Sequence, residues 1–126
     1  MILSAALLFV LASTVVAAFQ AALVLGMPWG ELTCGGKWRG RLPRRVRIIP
    51  LLSMLLLGLS SLVILTRAQW MWPELHAASR VGAWAVVGYC ALSCVANAAT
   101  PSRRERQLWL PVVICMLVAS LVVALA

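Results

Sequence analysis

The chain has 126 residues, of which 63% are hydrophobic and 11% charged, and its mean hydropathy of +1.00 excludes an ordinary water-soluble domain. Eleven Lys and Arg stand against three acidic residues, for a formal net charge of +8. These cations fill the gaps between apolar runs instead of forming a stripe on a polar fold, so no nucleic-acid partner is expected. A hydrocarbon core about 30 Å thick takes roughly 20 apolar residues per helical crossing, and four crossings leave room only for short loops, making 1–126 a single membrane domain.

The first apolar run extends over about 2–25 and stops at Gly26-Met27-Pro28, a helix-ending sequence. No positive residue precedes it, and Val15-Val16-Ala17-Ala18-Phe19 continues apolar past any small-residue cleavage point, so it is read as a retained span and not a signal peptide. The loop that follows, 27–47, carries Lys37, Arg39, Arg41, Arg44, Arg45 and Arg47 among glycines and prolines. That composition predicts a fixed path with tight turns near the bilayer surface. It lacks the spacing of a Walker phosphate loop.

The second run spans about 48–66, with Pro50 in its first turn, where proline is tolerated. A short loop with Glu74 and His76, flanked by Arg67 and Arg80, leads to the third run at about 81–99. The loop 100–107 holds Arg103, Arg104 and Arg106, with Ser102 and Glu105 spaced as a capping box. The fourth run is about 108–126, with Pro111 expected in its first turn. Each run is apolar all round, as helices in lipid are. The expected fold is therefore all-α, a transmembrane four-helix bundle running up-down-up-down.

Charge sets the orientation. Nine basic residues in the first and third loops against two at the second predict both termini outside and loops 27–47 and 100–107 cytoplasmic. Six tryptophans fall in loops or near span ends, where indoles anchor at the interface.

Two sites are candidates. Lys37, Arg39, Arg41, Arg44, Arg45, Arg47, Arg103, Arg104 and Arg106 form a basic face suited to anionic lipid head groups or a protein partner, including a second copy of the chain. Within the spans, Gln20 and Asn97 are the only amide side chains, Gln20 sharing a helical face with Ser13, and Asn97 with Cys90 and Cys94. Such residues either glue helices together or line a polar site. Metal is not expected, because Cys90 and Cys94 lack further ligands and His76 lies beyond the outer end of the third span. With no Asp and no Gly-x-Ser-x-Gly, no catalytic residue is assigned, and neither an enzyme nor a cofactor is expected.

Length and span count are similar to those of the small multidrug resistance transporters, but their first-span glutamate has no counterpart in Leu11-Ala12-Ser13-Thr14-Val15, which removes the usual basis of proton coupling. The order Phe19-Gln20, Pro28-Trp29-Gly30, Gly35-Gly36, Leu42-Pro43, Asn97 and Arg106-Gln107-Leu108-Trp109-Leu110-Pro111 resembles an uncharacterised family of small four-helix bacterial membrane proteins. That resemblance implies the fold and the bacterial inner membrane, and no activity. Together these readings favour an accessory or structural membrane protein acting through its basic face, with a small-molecule carrier using Gln20 and Asn97 as the alternative. A carrier needs a polar cavity reaching the middle of the bundle, whereas an accessory bundle should be filled there.

Overall fold

The computed structural model describes all residues, 1–126, and contains helices and no strand. Four long helices account for most of the chain: α1 (Ile2–Val24), α2 (Ile48–Arg67), α3 (His76–Ala99) and α4 (Arg103–Leu125). Each is long and apolar enough to cross a membrane. They pack in a ring in chain order, α1 on α2, α2 on α3, α3 on α4 and α4 on α1, so that the bundle runs up-down-up-down. The ends of α1 and α3 and the starts of α2 and α4 meet at one end, the basic end, which carries the 27–47 loop.

The distribution of side chains is the inverse of a soluble bundle. Leu11, Leu55, Leu59, Leu92, Val95 and Val118 are each more than half exposed, while Ser13, Ser60, Ser79 and Ser120 are buried. An apolar skin this continuous is tolerated only by hydrocarbon. Small residues inside let the helices approach closely, which is how bundles associate where lipid supplies no hydrophobic drive. This is a multi-pass membrane protein. Its core comprises Ala6, Phe9, Val16, Leu57, Ile64, Val86, Cys90, Met116, Ala119 and Val123, drawn from all four helices.

The helix bounds differ from the apolar runs where polar residues extend a helix. The third helix starts at His76 and not at 81, and the fourth at Arg103 and not at 108. Hydropathy marks where lipid is, whereas a helix continues as long as its backbone bonds close; Arg, Glu and Gln are good helix formers. One consequence concerns Pro111. It lies inside α4 and not in its first turn, where it withholds the N–H that the carbonyl four residues earlier would accept. The first two helices match the runs within a residue, ending at Val24 and Arg67.

The end of α1 follows from Gly26. In the left-handed region at φ 97°, it donates its amide to Leu23 O while Met27 N reaches Ala22 O. These are the paired bonds of a Schellman motif, which suits a residue without Cβ. Arg41 Nε then donates to Gly26 O at 2.7 Å, fastening the loop to this helix end.

Candidate functional site

The basic end is roofed by the 27–47 loop, which folds back on itself and onto α4. Gly30 donates to Gly40 O at 2.8 Å, and a Cβ at Gly30 would lie 1.9 Å from Trp38 O, so only glycine fits there. Two short 3-10 turns follow, Gly30–Leu32 and Cys34–Gly36, the second shaped by positive φ at Cys34, Gly35 and Gly36.

Four contacts pin this roof to the start of α4. Ser102 Oγ donates to Glu31 O at 2.8 Å, Arg104 pairs with Glu31 at 2.6 Å, Gly35 N donates to Glu105 Oε2 at 2.9 Å, and Trp109 Nε1 donates to Leu32 O at 3.2 Å. Ser102 also accepts from Glu105 N at 3.2 Å as the helix cap. The reciprocal half of the capping box is missing. Glu105 turns its carboxylate to Gly35 N and to the Thr100 hydroxyl at 3.0 Å instead. It pairs with no arginine of the first loop.

Beneath the roof lies a cavity of about 330 Å³ entering the bundle from the basic end. All four helices contribute: Phe19 and Gln20 from α1, Ser53 and Leu57 from α2, Tyr89, Ser93 and Asn97 from α3, Glu105, Trp109 and Met116 from α4, with Leu32, Thr33 and Cys34 from the roof. Leu57 and Met116 sit near the midpoints of their helices, so the cavity reaches the middle of the bundle. Phe19 and Trp109 form an aromatic pair in its wall, with ring centroids 4.6 Å apart at 54°. Asn97 Nδ2 donates to Ser93 O at 2.7 Å, which fixes the amide against its own helix. A volume of this size, mostly apolar with a few polar groups, is typical of a small-molecule site.

Of the three intramembrane residues singled out in the sequence, Gln20 and Asn97 come together in this cavity. Ser13 does not: it is 3% exposed, packed in the core below, and its hydroxyl has no partner. Cys90 lines the cavity and Cys94 does not. No three His, Cys, Asp or Glu side chains gather anywhere in the fold.

The nine basic residues divide by role. Arg41, Arg47 and Arg106 hold backbone carbonyls, of Gly26, Leu42 and Thr100. Arg104 holds Glu31, and Lys37 lies over the Trp38 ring at 4.9 Å. Arg44 and Arg45 are exposed. Arg39, Arg103 and Arg104 border a mostly polar cleft of about 560 Å³ with Glu31, Gly35, Gly36, Pro101 and Ser102. Half of the expected face is thus structural, and the part free to meet an outside anion is smaller than the charge count implies.

Three side chains make long-range contacts that have no local signal in the sequence. Glu105 enters the cavity wall because loop 27–47 reaches it across some 70 residues of chain, a contact with no local signal. Arg67, read as a flanking topology charge, is only 6% exposed. Its Nη atoms donate to His76 O at 3.3 Å and Ala126 O at 3.2 Å, joining α2, α3 and α4 at the end opposite the roof. Its Nε has no partner. Trp109 likewise spends its indole N–H on Leu32 and not on the lipid interface, whereas Trp29, Trp70, Trp72 and Trp84 stay exposed as interface anchors should.

Comparison with protein-family models, with curated proteins and with solved structures gives no match. The functional reading therefore rests on the geometry of the cavity and the roof.

Proposed function

We propose that the protein is a membrane-embedded binding protein or carrier for a small, partly apolar molecule held between the four helices. The observation that supports this is the cavity of about 330 Å³ with Gln20, Thr33, Ser53, Ser93, Asn97 and Glu105 on an otherwise hydrophobic wall. Helix-gluing amides would reach across to neighbouring helices; Gln20 makes no hydrogen bond, and Asn97 bonds only within its own helix. Void space costs packing energy, and polar groups facing one are most simply accounted for by something that fills it.

The orientation belongs to the same reading: a bacterial inner membrane, both termini outside, and the roof and the 100–107 segment in the cytoplasm, by the excess of basic residues there. The roof would then gate the cavity from the cytoplasmic side. A second, compatible role is supported by Arg39 and Arg103, the two arginines of the outer cleft that are not paired with its Glu31, whose charge suits anionic lipid head groups at that leaflet.

The test is native mass spectrometry of protein released from lipid nanodiscs. The wild type should carry a small-molecule adduct in about one-to-one ratio. The double variant Gln20→Leu with Asn97→Leu should lose most of it while keeping helical content and melting temperature within a few degrees. Equal retention by both proteins, or no adduct on the wild type, would refute the cavity as a binding site.

A further inference from the structure

We infer that the cavity is built for an organic cation, an amine or quaternary ammonium carrying an apolar body, with Glu105 as its counter-ion. This rests on the proposed cavity function and names the class of ligand.

Among all the residues lining the cavity, Glu105 is the only charged one. That is unexpected in a chain with eleven Lys and Arg and three acidic residues: by number alone, a charged wall residue should be basic. Glu105 is also left without an ion pair. Arg104 is taken by Glu31, Arg106 donates to Thr100 O at 3.1 Å, and Arg103 borders the outer cleft. No basic nitrogen lies within 4.0 Å of a Glu105 oxygen.

Both hydrogen bonds to the carboxylate, from Gly35 N and Thr100 Oγ1, go to Oε2. Oε1 receives no protein donor, and an open carboxylate oxygen without a partner favours a cation beside it. The other wall chemistry agrees. Phe19, Tyr89 and Trp109 present three aromatic rings to the same space, and ring faces attract cations, tryptophan most strongly. Gln20 and the hydroxyls of Ser53 and Ser93 offer further oxygen acceptors. An anion would find no cationic side chain among the lining residues.

The latch geometry adds a consequence. Glu105 holds the roof through Oε2 and Gly35 N, so a cation at Oε1 sits beside that roof contact on the same carboxylate.

The experiment is isothermal titration calorimetry on the full chain in nanodiscs of zwitterionic lipid, which gives no bulk attraction to cations. Three probes of similar size are compared: benzyltrimethylammonium, phenylmethanesulfonate and neutral benzyl alcohol. The cation should bind the wild type at least tenfold more tightly than either other probe, and Glu105→Gln should abolish that preference. Glutamine keeps an acceptor for Gly35 N, so the roof contact survives. Should Glu105→Gln nevertheless fail to fold, Ser53→Phe, which fills the cavity and leaves the carboxylate, must remove cation binding; persistence would place the cation elsewhere and overturn the inference. If all three probes bind alike and Glu105→Gln changes nothing, the charge assignment falls while the cavity function stands. If no probe binds the folded wild type, both fall.

Discussion

Gly30 shows how much of this protein is decided by single atoms. Its amide bonds to Gly40 O at 2.8 Å, and the site of a Cβ is occupied by backbone, with Trp38 O at 1.9 Å and Gly40 O at 2.6 Å. Gly30→Ala must therefore push the two limbs of the roof apart and lose that hydrogen bond, a cost of about 2–4 kcal/mol. At Gly40 a Cβ would meet nothing within 4 Å, but φ is +76°, so Gly40→Ala should cost only the left-handed penalty of about 1–2 kcal/mol. Melting in detergent should rank wild type above Gly40→Ala above Gly30→Ala, and tryptic cleavage after Lys37 and Arg39 should accelerate most in the last. An alanine at Gly30 with a wild-type melting temperature would show that the roof is not packed as described. At this scale the sequence was legible in part. Gln20 and Asn97 stood out because amides are rare in lipid, and they do share a cavity. Glu105 stood out only as part of a helix cap and Arg67 only as a flanking charge, because the contacts with Gly35 and Ala126 span 70 and 59 residues and nothing local announces a long-range contact.

The helices themselves were legible because lipid imposes one simple demand. Every backbone polar group in the hydrocarbon must be paired inside its own segment, so an apolar run of sufficient length has to be a helix. The polar ends obey another rule, which hydropathy does not see. The start of α4 at Arg103 is set by Ser102, whose hydroxyl accepts from Glu105 N at 3.2 Å and donates to Glu31 O at 2.8 Å. Ser102→Ala loses both bonds. The cap is worth about 1 kcal/mol and the cross-loop bond about as much, so a loss of roughly 2 kcal/mol is expected. Ser102→Thr, which retains the hydroxyl, should lose much less. Thermal unfolding in detergent measures both. Similar melting of the alanine and threonine variants would mean that the cap does not set where α4 begins.

The whole molecule presents a basic end and a nearly neutral one, and the sorting of charge is sharper than the helix packing requires. Of the nine basic residues at the roofed end, Arg41, Arg47 and Arg106 hold backbone carbonyls and Arg104 holds Glu31. Lys37, Arg39, Arg44, Arg45 and Arg103 donate no hydrogen bond, and of these only Lys37 touches the fold, over the Trp38 ring, so their charge can be changed at little cost to packing. That separates topology from stability in one experiment. Changing those five to Gln leaves four basic residues at the roofed end, and Gln69→Lys with Glu74→Lys, both at exposed positions, raises the opposite end from two to four. If the bias of basic residues in short loops orients the bundle, this balanced variant should insert both ways round, giving mixed signals from periplasmic and cytoplasmic reporters fused at either terminus, while the wild type reports both termini outside. The core at Phe9, Leu57, Val86 and Met116 is untouched, so the purified variant should melt within a few degrees of the wild type. A variant that still inserted one way would shift the cause of orientation from charge to the structural differences between the ends, the roof at one and the buried Arg67 cluster at the other.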